Sequence, residues 1–128
     1  ALEEVLQQAQ IISLHCPLNE HTRDLIGAAQ LQAMKANALL VNTARGGLVN
    51  EQALADALRR GHLGGAACDV LSSEPPQADN PLLAGDIPRL IITPHCAWGS
   101  REARQRIVGQ LAENAHAYFN AAPRRLIN

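Results

Sequence analysis

The sequence predicts an α/β fold in which helices pack on a parallel β-sheet of about four strands. Short apolar runs that end at a proline or a glycine turn alternate with longer segments of helical periodicity. Strands separated by helices in this way pair in parallel. The residues are 47% hydrophobic but only 2% aromatic. Such an aliphatic composition suits helices packed closely on a parallel sheet better than a sandwich or a barrel.

Each predicted element has a local basis. Strands are expected at residues 11–14, 38–42, 65–70 and 90–93. Pro17 and Pro94 close the first and last of these, because proline cannot continue a central ladder. Helices are expected at residues 3–8, 28–35, 50–61 and 100–119, with apolar positions Ile107, Val108, Leu111, Ala115 and Phe119 in the last. Asn50 and Ser100 are the predicted N-caps, and Gly61 ends the third helix.

The predicted sheet amounts to roughly half of a two-part dinucleotide-binding fold of the Rossmann type. The Gly-x-Gly-x-x-Gly loop of such folds is absent from this chain. Gly61-His62-Leu63-Gly64-Gly65 precedes a strand, so it does not present a helix N-terminus to a pyrophosphate. The chain begins inside a helical pattern, and Met34 is its only methionine. We therefore expect a segment of a longer polypeptide.

Composition and charge argue against several classes of function. Eleven basic against twelve acidic residues give a net charge near −1, so nucleic acid is not an expected partner. No apolar run approaches the roughly 18 residues of a membrane span, and no signal peptide is visible. The three cysteines lie far apart. Free thiols in a reducing cytoplasm are expected rather than a disulfide framework or a zinc site.

His95 is the strongest candidate for chemistry. It follows Ile91-Ile92-Thr93-Pro94, so its imidazole lies at the carboxyl end of a predicted strand, where open α/β sheets bind ligands. The flanking Pro94 and Ala97 indicate a constrained turn. A structural histidine with satisfied hydrogen bonds is the alternative. Cys96 also suggests a Cys–His nucleophile, but sequence neighbours seldom face each other, and no oxyanion loop is evident.

Arg45 and Glu74 follow two other predicted strands. Arg45 precedes Gly46-Gly47, and we expect these glycines to let a ligand approach the backbone. Its guanidinium is suited to bind a carboxylate through two hydrogen bonds, although a solvated turn arginine is the alternative. Glu74 precedes two prolines. A carboxylate beside an imidazole favours the imidazolium, which can protonate a carbonyl oxygen; an exposed loop glutamate is the alternative.

The remaining polar residues of interest carry weaker predictions. Asp69 is the one charged residue of an apolar strand, and it needs a polar partner if it is buried; a cofactor amide or a backbone N–H would serve. No metal site is predicted, because metal-ligand spacing is absent among the other histidines, His15, His21, His62 and His116.

Taken together, these segments resemble the D-isomer-specific 2-hydroxyacid dehydrogenase family. The stretches that carry the resemblance, in order, are Leu14-His15-Cys16-Pro17-Leu18, Asn42-Thr43-Ala44-Arg45-Gly46-Gly47-Leu48-Val49, Ala67-Cys68-Asp69-Val70 through Glu74-Pro75, and Thr93-Pro94-His95. Ala97-Trp98, and Glu74-Pro75-Pro76 leading to Asn80-Pro81-Leu82-Leu83, are similar to the glycerate dehydrogenase (hydroxypyruvate reductase) branch. The resemblance implies the C-terminal half of an NAD-binding domain at residues 1–99. Residues 100–128 would be a C-terminal helix and tail that return toward a substrate domain.

The resemblance also implies roles for individual residues. Arg45 would hold the substrate carboxylate and the nicotinamide side, His95 would be the acid/base, and Glu74 would be its carboxylate partner. The residues implied at the nicotinamide end are Thr43, Ala44, Asp69, His95, Cys96, Ala97 and Trp98, and those on the adenosine and pyrophosphate side are Cys16, Pro17 and Thr22. The implied reaction is hydride transfer from NADH or NADPH to C2 of a 2-keto acid such as hydroxypyruvate or glyoxylate. A cytoplasmic homodimer, or another self-associated form, is expected.

Alternatives from other classes stay open at this stage. The C-terminal-binding corepressors of transcription keep the arginine, glutamate and histidine and a tryptophan after the histidine, so an NAD sensor that recruits proteins is one of them. A non-catalytic half-domain that self-associates through an exposed apolar sheet edge is another. Formate dehydrogenases pair their histidine with glutamine, so Glu74 argues against that branch. Asn50 and Gln10 stand where the family usually has aspartate. Because the glycine loop is absent, we expect this chain alone to be inactive.

Overall fold

The computed structural model describes residues 1–125. Its elements are, in order, α1 (Leu2–Gln8), β1 (Ile11–Leu14), α2 (Ala28–Ala33), β2 (Leu39–Asn42), α3 (Glu51–Arg59), β3 (Gly65–Cys68), a 3₁₀ turn (Pro81–Leu83), β4 (Leu90–Ile92) and α4 (Arg101–Phe119). Ala1–His95 form one compact unit, and a second unit begins at Cys96. The predicted α/β fold, with its alternating strands and helices, is confirmed.

The strands pair in parallel in the order β1-β2-β3-β4. Their last residues lie in register, with Leu14 beside Asn42, Asn42 beside Cys68, and Cys68 beside Ile92. The loops that follow the strands therefore all begin at one edge of the sheet. This register brings residues from distant parts of the sequence to a common edge, which is where ligands bind in open α/β sheets.

Several elements are shorter than predicted, for local reasons. β3 ends at Cys68 and β4 at Ile92, although the Asp69 N–H still donates to the Asn42 carbonyl at 2.9 Å. Helix α2 ends at Ala33 because Met34 leaves the helical conformation, with a ψ of 151°. The turn that follows contains Asn37, whose φ of +66° is a left-handed conformation that asparagine tolerates better than most residues. The Ala38 N–H donates to the Lys35 carbonyl within that turn.

Helices α1, α2 and α3 share one core with one face of the sheet. Side chains alternate between the faces of a strand, and those on the inner face are buried with leucines from each helix. The core includes Leu6, Ile12, Leu14, Leu31, Leu40, Leu54, Leu58, Ala66 and Cys68. Burial of each large aliphatic side chain contributes about 1.5–3 kcal/mol. This aliphatic core explains how the fold is stabilised with so few aromatic residues.

The opposite face of the sheet carries exposed apolar side chains. Ile11 is 61% exposed, Leu39 41% and Ile91 64%. Ile11 lies beside Leu39 across the first strand pair, so these two share a face. The sequence predicts an exposed apolar edge: Ile11 and Ile91 stand on the edge strands β1 and β4, and Leu39 extends the apolar surface onto the face. Parallel sheets are normally covered on both faces.

Both predicted helix caps are present. The Asn50 side-chain oxygen accepts from the Ala53 N–H at 3.0 Å, and the Ser100 hydroxyl accepts from the Ala103 N–H at 3.1 Å. Such caps satisfy backbone donors that have no partner within the helix. In α4, Ile107, Val108, Leu111 and Phe119 are exposed. Among the described residues, no helix combines the length and hydropathy needed to span a bilayer.

Candidate active site

The side chains of Glu74 and His95 form a close pair at the carboxyl edge of the sheet. The Glu74 Oε2 atom lies 2.6 Å from the His95 Nδ1 atom. The other carboxylate oxygen of Glu74 accepts from the Leu71 N–H at 3.0 Å. When the ring is neutral, this pairing favours the tautomer with the proton on Nδ1 and the lone pair on Nε2. Nε2 is thus the ring atom suited to exchange a proton with a ligand.

The environment of Glu74 favours its charged form. Its hydrogen bond with His95, and secondly the Leu71 N–H, lower the pKa of this carboxyl below its ordinary value. Hydrogen bonds to a carboxylate stabilise the anion. Glu74 is therefore ionised at neutral pH.

The backbone of His95 has an uncommon conformation. Its φ is +52°, a region that residues other than glycine adopt rarely and at a cost. Its N–H donates to the Asp69 carbonyl at 2.9 Å and to the Thr93 carbonyl at 3.0 Å. These bonds hold the residue in this conformation after β4. The prediction of a constrained turn at His95 is confirmed.

Asp69 is buried beside this turn, with 4% of its surface exposed. Its Oδ1 atom accepts from the Thr93 hydroxyl at 2.5 Å. A buried carboxylate needs polar partners, and the Thr93 hydroxyl supplies one of them to Asp69. Thr93 is not among the site candidates from the sequence, which predicts it as the last residue of a strand; in the structure it directly follows β4.

Asp69, Glu74 and His95 line the same cleft. The cavity is about 390 Å³, and its walls are largely apolar. Its lining residues are Asp69, Leu71, Glu74, Pro75, Pro76, Leu83, Ile92, Thr93, Pro94 and His95. An apolar cavity with a few convergent polar groups is the usual form of a small-molecule site.

Arg45 lies in a second cleft at the same edge. This cavity is about 360 Å³ and is lined by His15, Cys16, Pro17, Thr43, Ala44 and Arg45. This cleft thus brings Thr43 and Ala44, predicted at the nicotinamide end, together with Cys16 and Pro17, predicted on the adenosine and pyrophosphate side. Thr22 supports the adjoining loop: its hydroxyl donates to the Pro17 carbonyl at 2.7 Å and accepts from the Asn19 N–H at 2.8 Å.

The turn that carries Arg45 is shaped by Asn42, which is 1% exposed. The Asn42 amide nitrogen donates to the Arg45 carbonyl at 2.9 Å, and its oxygen accepts from the Ala44 N–H at 3.1 Å. The Arg45 Nη1 atom donates to the Ala44 carbonyl at 2.7 Å. An asparagine side chain has both a donor and an acceptor, so it can hold both ends of this turn. The sequence predicts Asn42 at the end of a strand and at the start of a motif that resembles the family, but it does not indicate these hydrogen bonds.

Gly46 does not play the predicted role. A Cβ atom at this position would lie 1.8 Å from the Leu71 carbonyl oxygen. The space beside Gly46 is therefore occupied by the backbone of another loop, and the expectation that it admits a ligand is wrong. Glycine is required here because the turn after β2 touches the loop after β3. Gly47 has a φ of +80°, which glycine adopts readily.

The remaining candidates are the residues that follow His95 and the cysteines. Cys96, Ala97 and Trp98 belong to the second unit, and their role at the nicotinamide end stays a prediction. All three cysteines carry free thiols. Burial raises the pKa of the Cys68 thiol to about 11, so it is a core residue rather than a nucleophile. Within residues 1–125, no group of three His, Cys, Asp or Glu side chains is placed to hold a metal ion.

The fold and the site together define a class of protein. A parallel sheet that collects an imidazole–carboxylate pair and an arginine turn at its carboxyl edge is the ligand-binding half of a Rossmann-type domain. The chain belongs to the D-isomer-specific 2-hydroxyacid dehydrogenase family, whose NAD-binding domain matches residues 1–97. The family predicted from the sequence motifs is confirmed.

Individual relatives agree with this assignment. A glycerate dehydrogenase of Methylorubrum extorquens is 48% identical over 126 residues, which are 98% of this chain and 40% of that protein. A putative 2-hydroxyacid dehydrogenase of Haemophilus influenzae is 54% identical over 118 residues, or 91% of this chain and 38% of its own. An acyclic imino acid reductase, solved with NADPH and D-Arg, superposes with a TM-score of 0.85 at 35% identity, covering 100% of this chain and 40% of that one. The chain thus spans about 40% of the curated relative from Methylorubrum extorquens.

Proposed function

We propose that the complete protein is an NAD(P)H-dependent D-2-hydroxyacid dehydrogenase that reduces hydroxypyruvate or glyoxylate. The observation that carries the proposal is the Glu74–His95 pair, at 2.6 Å, on the ligand-binding edge of the sheet. An imidazole oriented by a carboxylate is suited to give a proton to a carbonyl oxygen and to take it back in the reverse direction. The relatives named as glycerate dehydrogenase and hydroxypyruvate reductase support this substrate class.

Each of the main residues has a defined role in this proposal. His95 donates a proton from Nε2 to the oxygen at C2 of the keto acid, and Glu74 stabilises the imidazolium from the Nδ1 side. Arg45 binds the substrate carboxylate through two hydrogen bonds, which fix the orientation of the molecule as well as its charge. The keto acid is thereby held in one orientation.

The carboxyl edge suits a nicotinamide dinucleotide. The cleft at Cys16, Pro17, Thr43 and Ala44 lies where such cofactors bind in Rossmann folds, and the buried Asp69 carboxylate supplies an acceptor for an amide. When bound, the dinucleotide supplies the hydride. The remaining residues proposed for its nicotinamide end are Cys96, Ala97 and Trp98, with Thr22 on the other side. Whether NAD or NADP is preferred depends on a residue beyond the glycine loop.

The organisation of the complete protein is part of the same proposal. Residues 1–99 form the C-terminal half of the nucleotide-binding domain, and residues 100–125 lead back toward a substrate domain; residues 126–128, the end of the predicted tail, lie outside the described residues. The enzyme acts in the cytoplasm as a homodimer, without nucleic acid or membrane partners. The relatives support an enzyme rather than a corepressor, since the three described above are named as two dehydrogenases and a reductase.

The proposal is tested by turnover. The complete protein should oxidise NADH or NADPH when hydroxypyruvate or glyoxylate is added. His95→Gln should lower kcat by about 10²–10⁴-fold, the usual contribution of a general acid, while the cofactor Kd changes little. His21→Gln, at an exposed loop histidine, is the matched control and should retain the rate. A wild-type protein that binds the dinucleotide but turns over no 2-keto acid would contradict the proposal.

A further inference from the structure

Glu51, the first residue of α3, is bonded to the distant loop after β3. Its Oε1 atom accepts from the Ser72 N–H at 2.7 Å. Its Oε2 atom accepts from the Ser72 hydroxyl at 2.8 Å and from the Asn80 side-chain amide at 2.9 Å. From the sequence, Glu51 is predicted only in the first turn of a helix, where an acidic residue is favoured by the helix dipole. Three hydrogen bonds to another loop indicate a second role.

The bonded residues lie on either side of Glu74. Ser72 precedes it by two positions, and Asn80 follows it in the same loop. Asn80 also accepts from the Leu82 N–H through its side-chain oxygen at 2.9 Å, so it begins the 3₁₀ turn while bonded to Glu51. The loop that carries Glu74 is thus anchored on both sides by a single carboxylate.

Glu51 also stands next to the arginine turn. Only residues 46–50 separate Arg45 from Glu51 in sequence, and Asn50 caps α3 directly before it. Gly46 touches the Leu71 backbone at the start of the glutamate loop. The two contacts, at Gly46 and at Glu51, join the turn that presents Arg45 to the loop that presents Glu74.

We propose that Glu51 is a positioning residue for the reaction: it anchors the Ser72–Asn80 loop to the start of α3 and so holds Glu74 against His95, in a constant position relative to Arg45. This inference rests on the proposed function and adds a residue that touches none of the reacting atoms. Catalytic groups lose efficiency when they are displaced by as little as about 1 Å, which is why the anchoring affects the rate.

The test is a double-mutant cycle in the complete protein. Glu51→Gln keeps the size of the side chain but loses the charge and half of its acceptor capacity. It should lower kcat by about 10-fold, with KM for the keto acid and Kd for the cofactor within about 2-fold, as expected for a displaced catalytic group. In a Glu74→Gln background the same change should have almost no further effect on kcat, because the pair that Glu51 positions is already lost.

Two further variants separate positioning from other effects. Glu51→Asp retains the charge at the start of α3 but is one methylene shorter, so it should be impaired like Glu51→Gln. Full activity in Glu51→Asp would show that charge at the helix terminus is sufficient and would overturn the proposal. Glu3→Gln makes the same chemical change in the first turn of α1 and should leave the rate unchanged. An equal loss from Glu51→Gln in both backgrounds would also overturn it.

A second readout does not depend on turnover. The proton on His95 Nδ1 should give a low-field NMR resonance, identified by its loss in Glu74→Gln. In Glu51→Gln this resonance should broaden or exchange faster with water, whereas Glu3→Gln should preserve it. An unchanged resonance in Glu51→Gln would refute the positioning role. If the wild-type protein shows the resonance but no turnover, the proposed function fails and the resonance alone decides the role of Glu51.

Discussion

Gly46 and Leu71 are in backbone contact, although they belong to loops that follow different strands. A Cβ atom at Gly46 would lie 1.8 Å from the Leu71 carbonyl oxygen. The Leu71 N–H in turn donates to the carboxylate of Glu74. The position of the arginine turn is therefore coupled to that of the glutamate, through one glycine and one peptide group.

Gly46→Ala is expected to destabilise the protein by about 3 kcal/mol, the upper end of the usual range for an added methyl group in a packed site. The cost is high because backbone atoms, and not a flexible side chain, must move. Activity should fall as well, because the displaced loop carries Glu74. The measurement is chemical denaturation of the complete protein, followed by kcat. Gly85→Ala is the control, as nothing lies within 4 Å of the added methyl group. Equal stability of the two variants would contradict the contact.

Asn42→Ala is expected to cost about 1–3 kcal/mol of unfolding free energy, because the Ala44 N–H and the Arg45 carbonyl lose a buried partner. Asn42→Asp keeps the acceptor for Ala44 but loses the donor to Arg45, so it should also destabilise the protein. Urea denaturation gives both values. If neither substitution lowers the midpoint, the Asn42 amide does not support the turn.

The stability contributed by Glu74 should depend on pH in a defined direction. The pKa of its carboxyl in the folded state is lowered from the ordinary value of 4.5. A group with a depressed folded pKa stabilises the protein fully above its unfolded pKa and loses that contribution as pH falls through the folded pKa. The part of the difference in unfolding free energy between wild type and Glu74→Gln that comes from this ionised carboxyl should therefore shrink below about pH 4.5.

The comparison requires denaturation curves of both proteins across the acidic range. Glu20→Gln, at an exposed loop position, is the control and should show no such trend. A difference between wild type and Glu74→Gln that grows on acidification would have the wrong sign for a depressed pKa.

Arg45→Lys should mainly damage substrate capture. A lysine ammonium is a point charge and cannot replace the two parallel hydrogen bonds of a guanidinium. KM for the keto acid should rise by at least about 10-fold with a smaller effect on kcat. This pattern is expected when the lost interaction stabilises the bound substrate and the transition state equally. Steady-state kinetics of the complete protein test this. Equal Michaelis constants for wild type and Arg45→Lys would refute the role.

The exposed apolar face of the sheet predicts that this chain, produced by itself, self-associates. Ile11 and Ile91 are both more than half exposed, and contiguous apolar surface of this kind promotes association. Replacing both with lysine should reduce the apparent mass in light scattering. A monodisperse monomer for the unmodified chain would contradict the prediction.

Local signals in the sequence were sufficient for the order of elements and for the ends of most of them. Asn50 and Ser100 marked helix starts because an N-cap is a contact within three residues. Pro94 and the apolar run before it placed His95 at a strand end, because these signals are also local in the sequence. Arg45, Glu74 and His95 each followed a predicted strand, and parallel pairing sends all such ends to one edge.

Contacts between distant residues required the tertiary structure. The bonds from Glu51 to Ser72 and Asn80 span 21 and 29 positions, and neither end has a local pattern that names the other. A side chain at Gly46 would clash with the backbone of Leu71, which is distant in sequence. The residues around Gly46 do not reveal this contact, and from them the glycine was interpreted as space for a ligand.

The sequence by itself thus determined which chemical groups reach the edge of the sheet, because strand ends and caps depend on short-range backbone geometry. Only the tertiary structure decided how those groups are held relative to one another. Loops after different strands meet through packing and hydrogen bonds that depend on the register of the whole sheet, and no local pattern encodes that register.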